Sequence, residues 1–92
     1  MTLNDTDLTG NTANKGGGVS VNSATLVING GSVLSNSAVG GGGGLNVEPG
    51  TATATGTGVD IGSNTPDDVK TAAGSTSYGG VSSFVCSAVG CF

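Results

Sequence analysis

The sequence has no histidine, no arginine, no tryptophan and no glutamine, and among its 92 residues it holds only two lysines, two cysteines, one tyrosine and two phenylalanines. Each shortage excludes something. Two cysteines without histidine cannot complete a four-ligand zinc site. Two lysines against six acidic residues leave a net charge of −4, which cannot neutralise a row of phosphates; this argues against nucleic acid and against an anionic membrane surface as partners. No apolar run reaches the roughly 18 residues of a membrane-spanning helix. Helix formers are nearly missing, whereas Gly, Thr, Ser and Asn number nineteen, twelve, eleven and eight, so the chain is not helical. Scattered acids without His or Arg supply no acid–base machinery, and the expectation is a chain with no catalysis and no cofactor of its own.

What is present is a repeat. Leu-Thr-Gly-Asn at 8–11 leads through glycines to Val-Ser-Val at 19–21; Val-Leu-Ser-Asn at 33–36 leads through Gly40 to Gly44 to Leu-Asn-Val at 45–47; and Ile-Gly-Ser-Asn begins a third copy at 61–64. Asn11 and Asn36 lie 25 residues apart and Val19 and Leu45 lie 26 apart. A period of this length that carries its own turn and strand signals is the mark of units that stack on copies of themselves. Small β-branched residues, eleven Val above all, suit thin stacked layers better than the thick core that so short a chain struggles to build.

Within a unit, period-two alternation and Gly/Asn breaks mark three short strands, at 19–21, 25–28 and 32–35 and again at 45–47, 51–55 and 59–61. The fold class expected is all-β, a right-handed single-stranded parallel β-helix of about two to three coils. Residues 1–64 form its coils, with boundaries near Asn11, Asn36 and Asn64. Residues 65–92 are a loop and a degenerate terminal coil or cap, with Val69 to Tyr78 an extended loop and Gly79-Gly80-Val81 a late return of the glycine–aliphatic start. Leu8, Val33 and Ile61, each three residues before an Asn, are expected to share one core column. Asn11, Asn36 and Asn64 are expected to turn the chain, tolerating left-handed geometry, and to form an amide ladder. Open ends would leave strand edges unpaired, so the chain is expected to be marginally stable or to associate end to end.

These motifs resemble the repeats of the polymorphic outer membrane protein family, which pair Phe-x-x-Asn with Gly-Gly-Ala-aliphatic. The first appears here as Leu8-Thr9-Gly10-Asn11, Val33-Leu34-Ser35-Asn36 and Ile61-Gly62-Ser63-Asn64, and the second as Gly16-Gly17-Gly18-Val19 and Gly42-Gly43-Gly44-Leu45. The chain departs from the family in having no Phe at the first position and Gly where the family has Ala; the resemblance covers about residues 3 to 64. It implies a right-handed β-helix in a surface or autotransporter passenger-like segment, outside the cell and associated with an outer membrane.

Other patterns are weighed against plainer readings. The glycine run at 40–44 lacks the Lys-Ser or Lys-Thr and the helix of a phosphate loop. Asp5-Thr6-Asp7 opens like a calcium loop, but position twelve is Gly16. The segment Thr55 to Asp60 approximates a calcium nonapeptide once, and Asp67-Asp68 is the sole adjacent acidic pair; no metal site is expected. Thr51, Thr53, Thr55 and Thr57 line one strand face, as ice-binding surfaces do. Cys86 and Cys91 close a small disulfide loop if the chain is exported, or remain two partly buried thiols. Asn4-Asp5-Thr6 is a glycosylation triplet. The N-terminus lacks a signal peptide's basic and apolar regions, and the chain is expected to be an excerpt. The function expected is a structural or adhesive segment of a cell-surface or secreted protein, with an unknown cell-surface or protein partner. The alternatives are a fragment of a carbohydrate-processing β-helix enzyme whose active site lies elsewhere, and an ice- or surface-binding protein.

Overall fold

Leu26 and Ile28 point inward from the most apolar strand while Thr25 and Asn29 point outward, and this strand is one of thirteen. A computed structural model describes all 92 residues. Its strands are β1 (Thr2–Asn4), β2 (Asp7–Thr9), β3 (Thr12–Ala13), β4 (Val19–Val21), β5 (Thr25–Asn29), β6 (Ser32–Leu34), β7 (Ser37–Ala38), β8 (Leu45–Val47), β9 (Thr53–Gly62), β10 (Val69–Thr71), β11 (Gly74–Thr76), β12 (Gly80–Ser87) and β13 (Gly90–Cys91).

Three passes of the chain lie side by side in parallel. Leu8 pairs with Val33 and Val33 with Ile61 through β2, β6 and β9. Leu3 pairs with Ile28 and Ile28 with Gly56 through β1, β5 and β9. Val19 pairs with Leu45 and Leu45 with Val69 through β4, β8 and β10. The interior between these rows is a single cluster of small apolar side chains closed on one side by Phe84 and Cys86.

The right-handed single-stranded parallel β-helix expected from the repeat is not the fold. The chain is all-strand, but its strands form seven-, four- and two-stranded sheets that mix parallel and antiparallel pairing, in a body 27 × 24 × 19 Å across. The reason lies after Asn64. A tight turn at Ala72-Ala73 sends β11 back along β10. The long strand β12 then runs antiparallel to β9, from Gly80 beside Ile61 to Cys86 beside Ala54, and β13 folds back on it. Parallel pairing needs a long connection that restores the strand direction, and short turns cannot supply one. Val69 to Tyr78 is accordingly not an extended loop, because it contains β10 and β11. The strand start that pairs with Leu45 is Val69 and not Val81. No helix of the protein is long and apolar enough to cross a membrane.

Candidate functional site

The three asparagines of the repeat stand in contact. Asn11 donates its backbone N–H (2.9 Å) and its side-chain Nδ2 (3.1 Å) to Asn36 Oδ1. Asn36 does the same to Asn64 Oδ1, at 2.9 and 3.0 Å. The remaining Nδ2 hydrogens of Asn36 and Asn64 go to the carbonyls of Leu8 and Val33, each at 2.9 Å. Every side-chain donor and acceptor of the 1 % exposed Asn36 is thus occupied, as burial of an amide requires. The left-handed residue of each turn is the one before the Asn: Gly10, Ser35 and Ser63 have φ of 67°, 56° and 53°. That corrects the expectation that Asn itself adopts this geometry. The short polar Ser is held there by the amide bonds that follow it.

The row ends in a residue that the motif does not contain. Asp68, 2 % exposed, takes the next place, its Oδ1 accepting from Asn64 N (3.2 Å) and Nδ2 (2.8 Å) while its Oδ2 accepts from the backbone N–H of Tyr78. A carboxylate has no hydrogen to pass on, so it closes a chain of donors. Its neighbour Asp67 accepts from the backbone N–H of Gly42. The adjacent acidic pair is therefore internal wiring; the signal available in the sequence was its position just after the third Asn.

Tyr78 stacks on Phe84 with ring centroids 5.3 Å apart. Burial first, and the Asp68 carboxylate second, push its phenol above the ordinary value of 10.0. The fold therefore favours the neutral phenol: its stabilising contribution is complete below pH 10.0 and is lost as pH rises through the higher folded value. Since Tyr78 is the sole tyrosine, tyrosinate absorbance reports it alone. The folded protein is expected to titrate at higher pH than the same chain in urea, and equal or reversed midpoints would refute the assignment.

Cys86 and Cys91 are opposed on β12 and β13 and form a disulfide. On the other face of the same strands, Val85 and Phe92 exchange backbone hydrogen bonds at 2.9 and 2.8 Å, and Val85 is opposed to Thr55, Thr55 to Val27 and Val27 to Thr2. This makes an outward row of five residues across the sheet, ending in Val85 at 52 % and Phe92 at 79 % exposure. Val81 and Val89 are also exposed nearby on β12 and in the turn after it. Thr53, Thr55 and Thr57 belong to β9, whereas Thr51 precedes it; the neighbouring strand sets Thr25, Val27 and Asn29 beside them.

A shallow recess of about 170 Å³ brings together both lysines of the chain, Lys15 and Lys70, with Asn46, Glu48 and Thr71. Lys15 lies 3.7 Å from Glu48, Asn46 donates to Glu48 at 2.8 Å, and Lys70 donates to the Gly40 carbonyl at 2.9 Å. Lys15 is thus paired with Glu48, whereas the Lys70 ammonium is held by a neutral carbonyl. No group of three or more Cys, Asp or Glu side chains converges to hold a metal ion. Comparison with protein-family models, curated proteins and solved structures gives no match.

Proposed function

We propose that this chain is a structural or adhesive segment of a cell-surface or secreted protein, without catalysis of its own. It works outside the cell, at an outer membrane surface in the sense of the repeat resemblance, and meets its partner through the sheet face that carries Val27, Thr55, Val85 and Phe92. The observation that carries this reading is the end of that row, where Val85 and Phe92 hold adjacent apolar side chains outward on a paired sheet. Contiguous exposed apolar surface of this kind marks contact sites. The disulfide behind it supports an oxidising, exported setting. The reading includes association of the segment with itself end to end.

Beads coated with the oxidised protein are expected to resist detachment from cell monolayers under flow. Beads coated with the Val85→Asp/Phe92→Asp variant are expected to detach several-fold more readily, with an unchanged melting curve. Equal retention of both sets and of uncoated beads would end the adhesive reading.

A further inference from the structure

The recess beside β8 and β10 holds two polar groups that the fold does not use up. Ser20, Asn46 and Lys70 are opposed in register across β4, β8 and β10, so Asn46 and Lys70 share one sheet face at one strand spacing, ~4.8 Å. Both strands have neighbours on either side, which holds the pair from both edges. Asn46 is 5 % exposed and donates through Nδ2 to Glu48 and Ser20. Its Oδ1 accepts no hydrogen bond within the protein. No buried polar atom lacks a partner, so this oxygen is a part of the amide that meets solvent. Lys70 is half-buried, and its stem lies across Gly41, where an added Cβ would come 2.5 Å from Lys70 Cδ. Its ammonium donates to the Gly40 carbonyl, which fixes the charge in place without neutralising it and leaves the other N–H groups free. Lys15 and Glu48 form the one ion pair of the protein and cancel each other. The recess therefore carries one uncancelled positive charge in a chain of net charge −4.

We propose that this recess binds one acidic sugar residue, its carboxylate on the Lys70 ammonium and one of its hydroxyls donating to Asn46 Oδ1. The proposal adds a ligand to the adhesive reading and does not rest on it. Three features select this class. One uncancelled positive charge suits a monoanion, whereas a phosphate dianion would bring a second negative charge up to the Glu48 carboxylate. The amide oxygen can only accept, so the ligand has to carry a hydrogen-bond donor beside its carboxylate. A simple carboxylate leaves that oxygen empty, and a neutral sugar leaves the ammonium without a counter-charge. The volume of about 170 Å³ lies below the ~300–1,000 Å³ of sites for larger ligands and limits the occupant to a single ring. No aromatic side chain lines the recess, and the expected dissociation constant is weak, about millimolar.

Titration of the intact, oxidised, isotope-labelled protein with glucuronate, galacturonate and N-acetylneuraminate, followed by NMR, tests this. At least one of the three is expected to shift the Asn46 side-chain amide and the Lys70 and Thr71 backbone amides to saturation. Glucose, which has hydroxyls without the carboxylate, and acetate, which has the carboxylate without hydroxyls, are each expected to bind about tenfold more weakly or less. Lys70→Met keeps the stem and removes the charge, and is expected to weaken the best of the three about tenfold. The comparison of sugars needs no variant and decides the question even if Lys70→Met fails to fold. Failure of all three acidic sugars to saturate these signals would overturn the proposal. So would glucose or acetate binding as tightly as the best of them, or a folded Lys70→Met protein that binds it unchanged. The bead assay reads a different sheet, the one that carries Val85, and its outcome is independent of this titration.

Discussion

Asn36→Ala is expected to lower the stability of the protein by about 3–4 kcal/mol, a large fraction of the roughly 5–15 kcal/mol that holds most domains folded. The magnitude follows from what the amide holds. Its Oδ1 receives two hydrogens from Asn11, and its Nδ2 supplies the Leu8 carbonyl and Asn64 Oδ1. Removal takes from the Asn11 backbone N–H and Nδ2 their shared acceptor, takes one of its donors from the Leu8 carbonyl, and leaves a void where the buried amide stood. An unsatisfied buried group costs ~1–3 kcal/mol, and the void adds to it. Asn64 Oδ1 retains the Asn36 backbone N–H at 2.9 Å, which caps the loss. For a chain of this size the melting temperature is expected to fall by roughly 12–32 °C. Asn36→Asp gains nothing from its size, because its second oxygen would face the Leu8 carbonyl and Asn64 Oδ1, acceptor against acceptor. The same carboxylate is tolerated at Asp68, where all three neighbours donate. Asn22→Ala, at an exposed position, is the control and is expected to change stability by less than about 0.5 kcal/mol. Urea and thermal melts read all three; an Asn36→Ala protein as stable as Asn22→Ala would show that the amide row contributes nothing.

The sequence carries the parts of the fold that repeat and hides those that do not. Aliphatic–x–x–Asn is visible as a motif because three copies share it, and in the structure the residues of those copies stand side by side. Asp68 was hidden because the row changes residue type there and the spacing drops from 28 residues to 4. Strand direction was hidden for a different reason. Alternation tells that Phe84 and Cys86 face inward and Val85 outward, but it reads the same for a strand running either way. Direction is set by the connection, and the one before β12 brings the chain back along β9. The parallel β-helix was read from a repeat that stops at Asn64, and the residues after it, expected as a loop and degenerate terminal coil or cap, add antiparallel strands instead. The outward row was hidden as well, because Phe92 meets Val85 through a turn whose register sequence alone does not fix.

Gly44→Ala is the second large effect, and it tests why the two motifs occur together. Gly44 is placed where an added Cβ would lie 2.5 Å from the Asp68 carbonyl oxygen and 2.9 Å from Asn64 Nδ2. Gly18 stands in the same relation to the Gly44 carbonyl at 2.7 Å and to Asn36 Nδ2 at 3.2 Å. Neither position needs a left-handed φ; both are glycine because the backbone passes directly against the amide row of the next pass. The glycines and the asparagines are thus two sides of one contact, and a methyl group at Gly44 presses on Asp68 and Asn64 together. Alanine lowers the entropy of the unfolded chain and by itself would stabilise by ~0.4–1 kcal/mol. Displacing a backbone carbonyl and a bonded amide costs more, since overpacking runs to ~1–3 kcal/mol and here loosens hydrogen bonds as well. The net expectation is a loss of about 2 kcal/mol. Gly79→Ala, which meets nothing within 4 Å, is expected to be neutral or slightly stabilising. The pair also bears on the family resemblance, whose motif has Ala at the position of Gly44. If Gly44→Ala melts no lower than Gly79→Ala, the close approach is not what selects glycine, and an alanine-type repeat fits this chain after all.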